Sequence, residues 1–227
     1  MRRALRLSLI IALALVGLVL GSSSVFAELP LVLSEDFETG ADRWEPTDPA
    51  SWKIASTPKG NVYNLHTDSK YKPKHRSPVN IAIAKEPVVS DFVLDAELQS
   101  TVKDYDHRSL VLVFGYQDPD HFYYVHFGKK TDDHANQIFI VNAAPRVKIS
   151  TKTTPGTPWD DAWHHVKIVR SVGDGKIDVY FDDLQTPVMT AVDKTFTSGR
   201  IGLGAFDDLG NFDHIVLHGA VVTPAKR

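Results

Sequence analysis

Residues 163–183 constrain the fold more than any other stretch of this 227-residue chain. Trp163-His164-His165-Val166-Lys167-Ile168-Val169-Arg170 and Ile177-Asp178-Val179-Tyr180-Phe181 flank a Gly173-Asp174-Gly175 turn. Side chains alternate faces along a strand. Val166 and Ile168 therefore share one face, while Trp163, His165 and Lys167 take the other. In the second run Ile177, Val179 and Phe181 point one way, and Lys176, Asp178 and Tyr180 the other. Such a pair reads as an antiparallel hairpin with one buried face.

Strand-like runs recur along the chain at 31–37, 52–55, 62–66, 81–84, 92–101, 110–117, 122–128, 137–142, 147–151, 163–172, 177–182, 200–206 and 212–217. Helical periodicity is nearly absent. Turn residues separate the runs: Thr57-Pro58-Lys59-Gly60, Asp118-Pro119-Asp120 and Thr154-Pro155-Gly156. Short strands at near-regular spacing predict an all-β, two-sheet antiparallel sandwich. The runs at 92–101 and 110–117 are apolar on both faces and are expected mid-sheet.

The first residues read as a targeting segment. Arg2, Arg3 and Arg6 precede an apolar run from Leu7 to Leu20, and Val25 and Ala27 stand where a signal peptidase reads. That run is shorter than the roughly 20 residues that span a bilayer. Cleavage after Ala27 is the expectation. It would leave 28–227 as a single secreted or periplasmic domain with no membrane insertion. Taking those three arginines from 25 basic residues leaves 22 against 28 acidic ones, a formal charge of −6. This acidity argues against a nucleic-acid partner. With no cysteine, the domain must be held by its core alone. A domain of this size can do that, since about 70% of the unfolded surface is buried at 150 residues.

The Trp163 strand and its hairpin resemble the Trp-His-x-Val strand and Tyr-x-Asp-Gly turn of laminin-G-like domains in the concanavalin A-like jelly-roll superfamily. Phe181-Asp182-Asp183 stands where that pattern has x-Asp-Gly. A second resemblance joins the ends. Asp36-Phe37-Glu38 with Trp44, and Gly199-Arg200-Ile201-Gly202-Leu203-Gly204-Ala205-Phe206 with Phe212-Asp213, are similar to the opening and closing of the 3-keto-disaccharide hydrolase domain family, a family 16 glycoside hydrolase-like group. Together the resemblances cover most of 31–220. They imply a carbohydrate partner and glycoside-processing chemistry on a keto-sugar. Similar sugar-associated sandwiches hold a structural calcium, and Asp36 and Asp213 are its candidate ligands. No organic cofactor is expected.

The residues themselves leave enzyme and binder open. The paired carboxylates of a retaining glucanase, Glu-x-Asp-x-(x)-Glu, are not in the sequence. Neither is a Gly-x-Ser-x-Gly elbow. The densest candidate is the run Asp106–Phe127 with His134-Ala135-Asn136. Alternation there places Phe122, Tyr124 and His126 on one face and Tyr123, Val125 and Phe127 on the other. If the latter trio is core, the former makes an aromatic row with a histidine on an open sheet face, which suits a sugar. Proton abstraction beside a carbonyl needs a base and an anion holder. His126 or His134 with Tyr124 are candidates for base and acid. His107, Arg108, Phe122, Asn136 and Arg146 are candidates for substrate contact. A non-catalytic carbohydrate-binding or adhesion module is the rival reading, and an envelope protein that binds other proteins is a third.

Ten histidines invite a metal, but no His-Glu-x-x-His occurs. The patternless basic stretch His66–Pro78 reads as a surface loop, either solvated or a cationic rim for an anionic sugar or carboxylate.

Overall fold

The computed structural model describes residues 29–223; the expected signal peptide lies outside them. The described residues contain sixteen strands. They run β1 Leu31–Glu35, β2 Trp44–Pro46, β3 Trp52–Thr57, β4 Gly60–Leu65, β5 Asn80–Ala84 and β6 Val89–Ser100. Next come β7 Ser109–Asp118, β8 His121–Gly128, β9 Gln137–Asn142, β10 Val147–Lys148 and β11 Ser150–Thr153. The last are β12 His164–Arg170, β13 Lys176–Phe181, β14 Met189–Val192, β15 Arg200–Ala205 and β16 Gly210–Val221. Among the described residues no helix is long and apolar enough to cross a membrane.

The strands form two antiparallel sheets. One runs β11-β14-β13-β12-β6-β16-β4-β3, with β1 also on β16; the other runs β10-β9-β8-β7-β15-β5-β2. The expected hairpin is present as β12 and β13, with Val166 opposite Phe181 and Ile168 opposite Val179. On its other side β12 pairs with β6, which sets Val166 against Ala96 and Ile168 against Leu94. These side chains, with Phe92, Leu98, Ile177 and Val179, face the second sheet and are buried. Full burial of a Val, Leu, Ile or Phe contributes roughly 1.5–3 kcal/mol each, so the alternation of β6 and β12 fixes their register energetically. Arg170 breaks the apolar series on β12 yet stays satisfied. Its guanidinium donates to the carbonyls of Gly175 at 2.7 Å and Phe196 at 3.2 Å.

The second sheet is buried on both sides. Leu110, Leu112 and Phe114 of β7, Tyr123, Val125 and Phe127 of β8, and Ile138 of β9 face the first sheet. The opposite face carries Val111, Val113, Phe122, Tyr124, Phe139 and Val141, with Ile81 and Ile83 of β5. The faces of β8 are thus as alternation predicts, but the outer one is not open. Phe122 is 1% exposed and Tyr124 is fully buried. Phe206, just past β15, packs on this face, and the basic 66–78 segment is tied to it where the Arg146 N–H donates to the Arg76 carbonyl at 3.0 Å.

Candidate functional site

At one end of that outer face the cover stops and leaves a cavity of about 330 Å3. Its wall is strongly nitrogenous: Arg76, His107, His126, His134 and Arg146, with the Phe206 ring and one carboxylate, Asp207. Each side chain arrives for a local reason. His126 is the last outward residue of β8 before Gly128. His134 belongs to the 129–136 connection, Arg146 ends the β9–β10 turn, and Arg76 comes from the basic segment.

His126 is the centre of the site. It is 7% exposed, and its ring stacks on Phe206 with centroids 5.2 Å apart. Nδ1 lies 2.8 Å from the His134 carbonyl. A carbonyl only accepts, so Nδ1 carries the proton and Nε2 of the neutral ring presents a lone pair. That buried Nε2 has no partner among the described residues. Desolvation lowers the His126 pKa to about 4, helped by the charges of Arg146 and His107 and opposed by the His134 carbonyl. The ring is a neutral acceptor at physiological pH.

Arg146 is clamped. Its guanidinium carbon lies 4.4 Å from the Phe206 ring centroid and 4.7 Å from that of Phe139. One nitrogen, Nη1, donates to the Tyr124 hydroxyl at 2.9 Å. Burial pushes the Tyr124 phenol well above its usual range, so the partner stays neutral and leaves the arginine charge uncompensated.

The floor is braced by a buried carboxylate. Asp208 accepts from the Ser109 N–H at 2.7 Å, the Ser109 hydroxyl at 2.8 Å and the Tyr105 hydroxyl at 2.6 Å. Burial raises the Asp208 pKa. This strut ties the residues after β15, including Phe206 and Asp207, to the start of β7. Asp208→Ala strands the buried Ser109 N–H, which costs about 2 kcal/mol. A thermal melt should show that loss, with a smaller one for Tyr105→Phe; equal melting of all three proteins would show that the strut adds no stability.

The candidates from sequence separate into groups. His107, His126, His134 and Arg146 meet at the cavity. Tyr124 and Phe122 lie beneath it in the outer cluster. Arg108 faces elsewhere: it is 1% exposed and donates to Ser100 Oγ at 2.9 Å and Asp161 Oδ1 at 2.7 Å. Asn136 is a brace, with φ of 52° and its amide donating to Thr131, Thr153 and the Thr154 carbonyl. Of Ser109, Phe206, Asp207 and Arg76, which also line the wall, three carry a sequence signal: Ser109 lies in the 106–127 run, Phe206 closes the 199–206 motif, and Arg76 is in the basic loop.

The expected calcium ligands also part company. β1 and β16 are neighbours, but Asp36 is exposed and its Oδ1 accepts from the Glu38 N–H at 3.2 Å. Asp213 instead gathers with Glu97 and His214. The Lys59 ammonium pairs with Glu97 and lies 3.2 Å from Asp213. Two carboxylates that share one ammonium and a single histidine nitrogen are a poor match to calcium, which takes six to eight oxygens.

No family model and no curated protein matches the chain. Solved structures do match in fold. The carbohydrate-binding module CBM66 from Bacillus subtilis superposes with a TM-score of 0.56 at 17% identity, covering 78% of this chain and 96% of that one. Domain 4 of AbnA, a GH43 extracellular arabinanase from Geobacillus stearothermophilus in complex with arabinotriose, gives 0.55 at 12% identity over 86% and 95%. Basic winged bean lectin with Tn-antigen gives 0.54 at 12% identity over 84% and 98%. The fold these structures share with the chain is a two-sheet antiparallel β-sandwich. At these identities the likeness is one of architecture, and what the cavity does must be argued from its own residues.

Proposed function

We propose that this protein binds carbohydrate in the cavity around His126 and Arg146, outside the cytoplasm. The observation that carries the reading is the unpartnered Nε2 of His126. A buried acceptor left unsatisfied costs about 1–3 kcal/mol, and a hydroxyl from a ligand would relieve it. A sugar supplies hydroxyls beside an apolar ring face, and the wall here offers the Phe206 ring next to that acceptor. Similar structures named for carbohydrate binding, or solved with arabinotriose or Tn-antigen, support the same reading. The leader-like segment and the likeness to a domain of an extracellular arabinanase support the location.

Binding is favoured over cleavage by the lining itself. Its single carboxylate, Asp207, is half of what paired-carboxylate hydrolysis needs. One observation favours the enzyme reading: a neutral His126 with a free lone pair has the form of a general base. Its lowered basicity makes it a weak one, and the Tyr124 hydroxyl that would serve as acid is fully buried, which holds its pKa well above the usual range. Mixing the protein with soluble neutral, acidic and 3-keto oligosaccharides, then weighing retained and free fractions by mass spectrometry, separates the two. The expected result is retention of an unaltered glycan, weakened about tenfold or more in His126→Ala. A new mass that disappears with His126→Ala would establish the enzyme. Retention of nothing would end the carbohydrate reading.

A further inference from the structure

The cavity does not stand alone. A second one, of about 540 Å3, is lined by Ser69, Lys70, Tyr71, Lys72 and Pro73 and shares Val79 with the first. The two meet at Val79, and residues of the basic segment line both parts of this groove. Charge within it is one-sided. Several surface cations elsewhere are matched to carboxylates, Lys129 to Asp104, Lys130 to Asp106, Lys148 to Asp133 and Arg200 to Glu45, while isolated ones such as Lys53 and Lys85 are not, among the described residues. Within the basic segment Lys74 and His75 are matched to Asp120. Among the described residues no carboxylate pairs with the side chains of Arg76, Arg146, Lys70 or Lys72, the four cations that line the groove. The acidic groups near them are Asp207 in the wall, Asp120, and Asp48, which accepts the Lys70 backbone N–H at 2.8 Å. This surplus sits on a chain whose formal net charge is −3.

Arg146 is also built to receive an anion. A guanidinium has five N–H donors in a planar fork that matches carboxylates and sulfates. Only Nη1 is used within the described residues, by Tyr124. The Phe139 and Phe206 rings both pack against the guanidinium. Beside it the neutral Nε2 of His126 asks for a donor, which an anion cannot be but a neighbouring hydroxyl can. The groove therefore calls for a molecule with negative groups and hydroxyls on one frame, long enough to reach from His126 to Lys72.

We infer that the ligand is an anionic oligosaccharide, its acidic groups on Arg146 and Arg76, a hydroxyl on His126, and its chain continuing along Lys70 and Lys72. This rests on the carbohydrate-binding reading and narrows it to glycans bearing carboxylates or sulfates. The test is a glycan array probed with the full protein, carrying oligogalacturonides, alginate and chondroitin sulfate oligosaccharides beside neutral xylo-, arabino- and gluco-oligosaccharides. Calorimetry on the best ligand and its charge-neutralised counterpart follows.

The expected result is retention confined to acidic glycans, with at least a tenfold loss on neutralising the ligand's acidic groups. Arg146→Met should remove that discrimination. Arg76→Ala and Lys72→Ala, both at exposed positions where folding is not at risk, should each weaken binding several-fold, and more so at low salt. Preference for uronates over sulfated glycans, or the reverse, names the acidic group and leaves the inference standing. Equal binding of a glycan and its neutralised form would overturn the inference while leaving carbohydrate binding intact. No glycan retained at all would overturn both.

Discussion

Acidification from pH 6.5 to pH 4 is expected to cost the protein about 3 kcal/mol of stability through His126 alone. The unfolded chain binds a proton at His126 near its ordinary pKa of 6.5, whereas burial holds the folded value at about 4. Between those values the unfolded state carries more protons, so stability rises with pH across the window and is lost as pH falls through it. Every pH unit that separates the folded and unfolded titrations is worth about 1.4 kcal/mol. Above pH 6.5 the penalty is absent in both states. Denaturant unfolding of the native protein and His126→Gln at several pH values isolates this residue from the other acids and bases. The native curve should gain about 3 kcal/mol more than the variant's between pH 4 and 6.5. Parallel curves would mean that His126 protonates as easily folded as unfolded, and that its ring is wetter than the structure indicates. Glycan binding should follow the folded value, holding at pH 5 and failing below 4. There Nε2 takes a proton and changes from acceptor to donor.

Gly199→Ala is the other change expected to do most damage. Gly199 exchanges backbone hydrogen bonds with Val89, both at 3.0 Å, immediately before β15. It crosses β7 where that strand bulges: Tyr116 faces Arg200 and Val113 faces Gly202, so the register shifts between them. Gly115 within the bulge takes φ of 59°, in the left-handed region that favours glycine. A Cβ on Gly199 would lie 2.1 Å from the Gly115 carbonyl carbon and 2.5 Å from the Tyr116 nitrogen. Both are backbone atoms, and no rotamer change relieves them. Overpacking of this kind costs about 3 kcal/mol at the upper end of its usual range. For a domain of this size that lowers Tm by roughly 6–12 °C. Gly173→Ala is the control, since its Cβ would meet nothing within 4 Å. If the two alanines melt together, β7 and β15 do not approach as closely as described.

What the sequence makes legible here is what is local. Alternation alone separates Tyr123, Val125 and Phe127 from Phe122, Tyr124 and His126, because a period of two needs only one strand to be seen. The same count, carried back from Leu110 and Leu112, places Arg108 on the core side and Ser109 on the cavity side. Arg108 passes for a sugar contact only when the count stops two residues short of it. β2 and β14 leave no such trace. Trp44–Pro46 and Met189–Val192 are too short to show a period, and their strand state comes from pairing with β5 in one case and with β13 and β11 in the other. The cavity wall is least legible. Phe206 reaches His126 only because β15 lies beside β7, a pairing between residues far apart in the chain. The outer face reads as open because nothing in the strand reveals that a loop some fifty residues upstream lies across it.

The clamp on Arg146 has a thermodynamic consequence for whatever enters the groove. Immobilising a long side chain at a binding surface costs about 0.5–1.5 kcal/mol, and a free surface lysine meets that cost each time a ligand arrives. Here two aromatic rings and a phenol order the guanidinium during folding. Its rotamer freedom is gone before any encounter. Recognition at this end of the groove therefore begins with a fixed plane of donors, while the lysines at the other end remain free to follow the ligand's shape.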